Sequence, residues 1–380
     1  MNKKEILEIR RQFSPQNCAI TRMCGCYVDA DKEVRVLSRE AFLSLPEEEI
    51  FKYFDIFKKT LSGTFGRNLL NMEFPMEEEQ PGGRQEFLLR LRDSRLEDDE
   101  LLNTFYQDVI ENYDCPEHYY IILIHGVYDI PGRASDGMDM FDASDNVYEY
   151  LMCSICPVSL SKAALSYDAE QNSIIDRIRD WIVEAPAKGF LFPLFQDRGP
   201  DVHGMLYYSK KPEELDIPFI EQVLGCRPPI SSGEQKDMFQ TLISDTLGED
   251  RSYEVVRSIH ENLTDLLAAS KENDEPLELS KQDVRKLFEH SGVASDKMEQ
   301  FDQEYSETAG EKTTLLASNL TNTRQFEIHT PDIVIKVNPE RTDLVEARVI
   351  DGRQCLVIAV DDHVEINGLD VWTLREAEDQ

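Results

Sequence analysis

The alternation of apolar and polar residues in the first part of the chain predicts a sheet with flanking helices. Apolar residues three and four positions apart predict a short amphipathic helix over 4–13. Two β-prone runs, 18–29 and 33–37, are joined by a polar turn and predict a hairpin. The run 119–127 is apolar except for one histidine and one glycine, which is typical of a strand covered on both faces at the centre of a sheet.

The same pattern predicts further elements before residue 230. A strand is expected at 148–158 and a second hairpin over 189–209. Ser94 and Glu97 have the spacing of a capping box, so a helix is expected to begin there. The spacing of the apolar residues in 174–183 predicts another helix.

From residue 231 the pattern changes to helices and then to short strands. Helical periodicity predicts four helices, at 234–247, 252–269, 281–290 and 295–307. Alternating residues around an Asp-Gly turn signal predict a hairpin over 345–360. We therefore predict an α+β (or α/β) fold in three segments. These are a mixed domain with a central sheet and flanking helices at 1–230, an acidic helical segment at 231–310, and a small antiparallel β module with a charged tail at 311–380.

Charge narrows the class of partner. The 380 residues include 40 Lys and Arg against 74 Asp and Glu, a net charge of −34. This field repels phosphate backbones and anionic lipids, so we expect neither free nucleic acid nor a membrane as partner, and a basic protein surface fits better. Segment 231–310 has 8 basic and 19 acidic residues, and its charge density is about twice that of 1–230.

The N-terminus and the cysteines indicate the compartment. Charged residues are distributed through the first 13 positions, so a secretory signal is not expected. The longest apolar runs have six residues, whereas about 20 are needed to span a bilayer. Eight dispersed cysteines do not form the pattern of a disulfide scaffold. The sequence therefore predicts a cytoplasmic protein with reduced thiols.

Two cysteine pairs are candidates for a metal site. Cys24 and Cys26, together with Cys153 and Cys156, would form a tetrahedral zinc site if the two pairs came together. Both pairs lie in predicted strands with apolar neighbours, where a free thiol packs as a small hydrophobic group. Core packing is the favoured interpretation, with zinc as the alternative.

An acidic segment after the predicted central strand is a second candidate metal site. Its carboxylates are suited to Mg²⁺ or Ca²⁺, which prefer oxygen ligands. The spacing is not that of an EF-hand, and a solvated acidic loop is the favoured interpretation. The residues in question are Asp129, Asp136, Asp139, Asp142 and Asp145.

Two histidines are candidates for general-base chemistry. His203 lies close in sequence to Asp201 in the loop of the second predicted hairpin, and His125 lies on the apolar strand. An Asp/His pair is the smallest arrangement that could act as a general base. A hydrogen-bonded core histidine at 125 and a turn-forming aspartate are the favoured interpretation.

Six segments together carry a resemblance to a known family, namely 5–29, 61–75, 86–102, 153–167, 189–203 and 349–368. Along nearly its whole length the chain resembles a family of uncharacterised Firmicutes proteins that is classed only as a domain of unknown function. The resemblance implies a bacterial cytoplasmic protein and no activity, cofactor or catalytic residue.

These observations favour a protein that binds another protein through acidic surfaces and has no catalytic activity. The chain lacks the nucleotide-binding and hydrolase motifs G-x-x-x-x-G-K-[ST], G-x-G-x-x-G, H-E-x-x-H and G-x-S-x-G. No cofactor is expected. The alternative is a metal-dependent hydrolase or nuclease-like enzyme that uses the carboxylates of 129–145, and the sequence leaves the oligomeric state open.

Overall fold

A computed structural model describes residues 1–133, 139–360 and 363–371, with side chains described outside 133 and 139–145. The chain forms two compact units, Met1–Glu234 and Gln235–Gln380. Its helices, its mostly antiparallel main sheet and its small two-stranded sheets make a mixed α+β fold, as predicted. The separation of 231–310 from 311–380 stays a prediction.

The first unit is built on one large antiparallel sheet. The sheet has the order β2-β1-β4-β5-β9-β12-β3, and β8 pairs with the end of β5. The elements in chain order are α1 (Lys3–Arg11), β1 (Ile20–Val28), β2 (Val34–Glu40), α2 (Glu47–Thr60), β3 (Leu69–Glu73), α3 (Arg84–Asp93), α4 (Asp99–Asn112), β4 (His118–Arg133), β5 (Asp139–Leu160), β6 (Leu165–Asp168), β7 (Ser173–Asp176), β8 (Trp181–Val183), β9 (Lys188–Phe192), β10 (Leu194–Gln196), β11 (Gly199–Asp201), β12 (Gly204–Ser209), a π-helical turn (Phe219–Leu224) and α5 (Ser232–Leu247), which crosses the unit boundary.

Both faces of this sheet are covered, which confirms the prediction for the central strand. Because strand residues alternate between faces, Ile121 and Leu123 of β4 join one core, which also holds Leu88 of α3 and Phe105 of α4. Neighbouring residues such as Ile122 and Ile124 join the opposite core, with apolar side chains of α1 and α2. The central strands therefore lie between two helical layers.

The helix predicted at 174–183 is wrong. Residues Ser173–Asp176 form β7 and Trp181–Val183 form β8. β7 pairs with β6, and β8 adds to the free edge of β5 beyond β9. The isoleucines and valine of this stretch are β-branched, and available edge pairing outweighs their helical spacing.

The capping box predicted at Ser94 is also wrong, because the helix begins one turn later. Asp98 is the N-cap of α4, and its carboxylate accepts hydrogen bonds from two backbone N–H groups. Ser94 ends α3 instead. Between the helices Arg95 and Leu96 adopt left-handed conformations, with φ of 53° and 58°. This reversal buries Leu96 completely and prevents a helix from starting at Ser94.

The second unit packs its helices around a separate core that includes Phe239, Leu263 and Phe288. The capping box of Ser280 and Asp283 forms at the start of α7. The strands predicted as one small module form separate antiparallel hairpins. After α5 the elements are α6 (Tyr253–Ala269), β13 (Glu278–Leu279), α7 (Lys281–His290), α8 (Phe301–Thr308), β14 (Leu315–Leu316), α9 (Ala317–Leu320), β15 (Phe326–His329), β16 (Val334–Val337), β17 (Val345–Ile350), β18 (Arg353–Ile358), β19 (Val364–Ile366) and β20 (Leu369–Val371).

Candidate functional site

A hydroxyl, an imidazole and a carboxylate form a hydrogen-bonded chain across the first unit's sheet. His125 is fully buried on β4. Its Nδ1 lies 2.6 Å from Oγ1 of Thr21, and its Nε2 lies 2.9 Å from Oε1 of Glu149 on β5. The register between β1 and β4 shifts between Ile20 and Arg22, so Thr21 occupies a bulge. Bulges redirect side chains, and here Thr21 is exposed while its hydroxyl reaches the buried ring.

The surroundings of His125 oppose its protonation. Burial lowers the pKa of the imidazole below its ordinary value of 6.5, and the positive charges of Arg95 and Arg92 lower it further. The hydrogen bond and charge of Glu149 act in the opposite direction and are outweighed. Arg95 itself lies 3.6 Å from Glu149, measured from Nε to Oε1, and it is held there by the left-handed turn after α3.

This arrangement is suited to accepting a proton from a hydroxyl. A neutral imidazole that donates from Nε2 to Glu149 leaves Nδ1 free to accept the Thr21 proton. The carbonyl oxygen of His125 lies 3.2 Å from the same hydroxyl and competes for that proton. The geometry therefore permits general-base activation of Thr21, and it equally ties β1, β4 and β5 together.

Thr21 and Glu149 were not candidates at the level of sequence. The contact between Glu149 and His125 depends on the register of β4 against β5, in which His125 pairs with Leu151. That register is set by the β4–β5 hairpin. Thr21 depends on a bulge that no motif marks. A polar residue in an otherwise apolar central strand was the available signal, because such a residue needs buried partners.

His203 and Asp201 lie at a separate site beside the second hairpin. His203 is 68% exposed, and its Nδ1 lies 2.9 Å from Oε1 of Glu79. The hydrogen bond to Glu79 and its charge raise the pKa of His203 above 6.5. Asp201 accepts a hydrogen bond from the backbone N–H of His203 at 3.0 Å, as a turn-forming residue does. Each histidine thus has its own carboxylate partner.

The four candidate cysteines do not converge. Cys24, Cys26 and Cys153 lie in the core on the α3–α4 face of the sheet, whereas Cys156 lies in the core on the opposite face. Cys24 and Cys153 both align with Leu123 of β4, so they are two strands apart, about 10 Å. Burial raises the pKa of Cys24 to about 11 and raises that of Cys153 still more. In the described residues these thiols are core groups.

The acidic segment continues the central hairpin. β4 extends to Arg133 and β5 begins at Asp139, so the expected loop is largely strand. Asp129 is exposed and pairs with Val147. Asp136 lies outside the described residues, and Asp139, Asp142 and Asp145 lie on β5 without described side chains. The alternative that these five aspartates bind Mg²⁺ or Ca²⁺ stays a prediction. Among the described residues no group of three or more His, Cys, Asp or Glu has a metal-binding arrangement.

An acidic patch lies in the second unit, near the end of α5. We define it by four exposed carboxylates, Glu249, Asp250, Asp296 and Glu299. Lys297 lies close to Asp250, Asp296 and Glu249, and its Nζ is 2.9 Å from Oδ2 of Asp250. The hydrogen bond that Lys297 donates to Asp250 raises the pKa of Lys297, and the charges of Asp296 and Glu249 raise it further. The acidic patch therefore keeps an excess of negative charge.

A family model described as "Domain of unknown function (DUF4317)" matches residues 1–369. The chain belongs to this family. No curated protein and no solved structure matches the chain.

The family has no assigned activity. Within the part of the chain that the structure describes, the helices are too short or too polar to cross a membrane.

Proposed function

We propose that this chain is a cytoplasmic protein of a Firmicutes bacterium that acts by binding another protein with a basic face. The observation that carries the proposal is the acidic patch, where four carboxylates are exposed and the charges of three of them act on Lys297. Complementary charge accelerates encounter and suppresses wrong partners. A partner that presents lysines or arginines fits this surface, and nucleic acid is repelled by it.

The acidic patch lies in the most acidic part of the chain. Segment 231–310 has a net charge of −11, and in its described residues the exposed carboxylates Asp237, Asp245 and Asp265 form no ion pair. Exposed charges at this density contribute little to folding stability. Such charges serve solubility or the recognition of a partner, and we propose recognition.

Charge reversal tests the acidic patch. The full-length protein, tagged in its native host, should retain a defined set of proteins at low salt and release them at high salt. Glu249→Lys with Glu299→Lys should remove that set. Glu111→Lys with Glu117→Lys is the matched control, because both residues are exposed, lie in the first unit and change the net charge equally. Identical capture by both double variants would overturn the proposal.

One observation favours a second candidate function, acyl transfer to Thr21. Its hydroxyl lies 2.6 Å from a neutral imidazole that is oriented by Glu149. In this step the Thr21 oxygen attacks an ester carbonyl and its proton passes to Nδ1 of His125. The alcohol departs with that proton, and water then hydrolyses the acyl-threonine.

A chromogenic acetate ester tests the second candidate. The wild-type protein should release the phenol faster than Thr21→Ala, and the acetyl group should be found on Thr21 by mass spectrometry. Thr104→Ala serves as control, since the Thr104 hydroxyl is exposed and donates only to the backbone of its own helix. Equal rates in all three proteins, with Thr21 unmodified, would exclude this activity.

A further inference from the structure

Residues 161–183 form an arm between β5 and β9 that has few partners in its own unit. β6 and β7 pair with each other and lie outside the main sheet. The arm is closed at its base by hydrogen bonds among its own residues, from Ser161 N–H to Asp180 and from Arg177 N–H to Ala164. Only β8 joins the sheet, through three residues of β5. A lone two-stranded hairpin is marginally stable in water, so this arm needs a covering surface.

One face of the arm has three exposed apolar side chains and one exposed carboxylate, Asp176, which lies opposite Leu165. Tyr167 and Ile174 lie directly opposite each other, and Leu165 lies on the same face because strand side chains alternate. Contiguous exposed apolar patches rimmed by polar residues mark interaction sites. Six large apolar side chains of the arm are between 45% and 79% exposed, namely Leu165, Tyr167, Ile174, Ile178, Trp181 and Ile182.

The charge of the arm favours a second copy of this chain as its partner. The arm has three basic and four acidic residues, a net of −1, whereas the whole chain has −34. A strongly basic partner would gain little electrostatic attraction from a surface of this charge. A second arm would gain more, because Arg177 and Arg179 of one copy can pair with Asp168, Glu170 or Asp176 of the other.

The size of the arm also agrees with a second copy of the chain as the partner. A standard protein interface uses about 20–30 residues on each side. The arm offers 23 residues, and most of them are exposed. Two-fold pairing of one self-complementary patch is the commonest way for a protein to form an oligomer.

We propose that the arm is a homodimerisation element, and that the faces formed by Leu165, Tyr167 and Ile174 of two copies pack against each other across a two-fold axis. This interface uses neither the acidic patch nor Thr21. It is therefore independent of the function proposed above, and purified protein alone is enough to test it.

Sedimentation equilibrium of the full-length protein is the test. The expected mass at micromolar concentration is twice the 43.8 kDa of one chain. Tyr167→Asp with Ile174→Lys keeps the net charge and should raise the dimer dissociation constant roughly 100-fold, as the loss of two apolar anchor residues does. Because both side chains are exposed, the circular dichroism spectrum and melting temperature of the monomer should be unchanged.

A matched control uses another exposed apolar strand. Val36→Lys with Leu37→Asp on edge strand β2 also keeps the net charge, and both residues are about half exposed. This variant should remain dimeric. A wild-type protein that is monomeric up to 100 µM, or a dimer that survives the arm variant, overturns the proposal. So does equal dissociation of the arm and β2 variants.

Discussion

Nε2 of His125 lies 2.9 Å from Oε1 of Glu149, which joins a fully buried imidazole on β4 to a carboxylate at the sheet surface on β5. A carboxylate beside an imidazole usually raises the pKa of the histidine. Here burial has the larger effect and lowers the pKa, and the charges of Arg95 and Arg92 lower it further.

The two candidate histidines should therefore titrate on opposite sides of pH 6.5. We expect His125, with its pKa lowered by burial, to titrate below 6.5, and His203, with its pKa raised by Glu79, to titrate above it. Proton NMR of the imidazole C–H signals measures both in one sample. The reverse order would contradict the electrostatics described for the two sites.

The same shift has a consequence for stability. The unfolded chain binds a proton at residue 125 near pH 6.5 while the folded chain does not, so the unfolding free energy falls as pH decreases below 6.5. Urea titrations between pH 7 and 5 should show this loss, and His125→Gln should reduce its slope. An unchanged slope would mean that His125 does not contribute.

Removing the Thr21 hydroxyl should destabilise the first unit. Thr21→Val keeps the shape of the side chain and leaves Nδ1 of a buried ring without its partner, which costs about 1–3 kcal/mol. Thr21→Ser should retain most of the stability. Thr104→Val, at an exposed hydroxyl, should change it by no more than about 0.5 kcal/mol. Chemical denaturation measures all three, and equal effects at 21 and 104 would contradict the prediction.

A side chain at position 189 is expected to clash with neighbouring atoms. A Cβ at this position would lie 2.4 Å from the carbonyl oxygen of Cys153 and 2.5 Å from Cγ2 of Thr60, and the backbone oxygen cannot move away. Gly189→Ala should cost about 1–3 kcal/mol or prevent folding. Gly199→Ala is the control, since its Cβ would have no neighbour closer than 3.8 Å. Comparable melting temperatures of the two variants would show that β5 and β9 can separate.

Thiol alkylation distinguishes core packing from metal binding at the cysteines. In native protein Cys355, which is partly exposed, should react with iodoacetamide, while Cys24, Cys26 and Cys153 should react only after unfolding. Dialysis against a chelator should leave this protection unchanged, because packing and not metal shields the thiols. Thiols that become reactive after chelation would indicate a metal at this face of the sheet.

The accuracy of the sequence predictions follows the range of the interactions involved. The central strand around His125 and the helix over 281–290 were predicted correctly, because burial pattern and helical periodicity are local. The segment 174–183 was predicted as a helix because its apolar spacing fits one. Its strands form only because β6 and the edge of β5 are available as partners.

The polar site shows the same division. The sequence marks His125 as a polar residue that needs a partner, but Glu149 depends on the register of the β4–β5 hairpin and Thr21 on a bulge between β1 and β4. The separation of Cys153 from Cys156 required only strand alternation once the strand was known.

By itself, the sequence determined the mixed α+β class, the buried central strand and the strongly acidic character, because composition and periodicity are sums over neighbouring residues. Tertiary structure alone decided which carboxylate meets His125, which side of the sheet each thiol faces, and that the residues of the arm stay uncovered. These features depend on strand register and sheet order, which bring together residues far apart in the chain and leave no trace in local pattern.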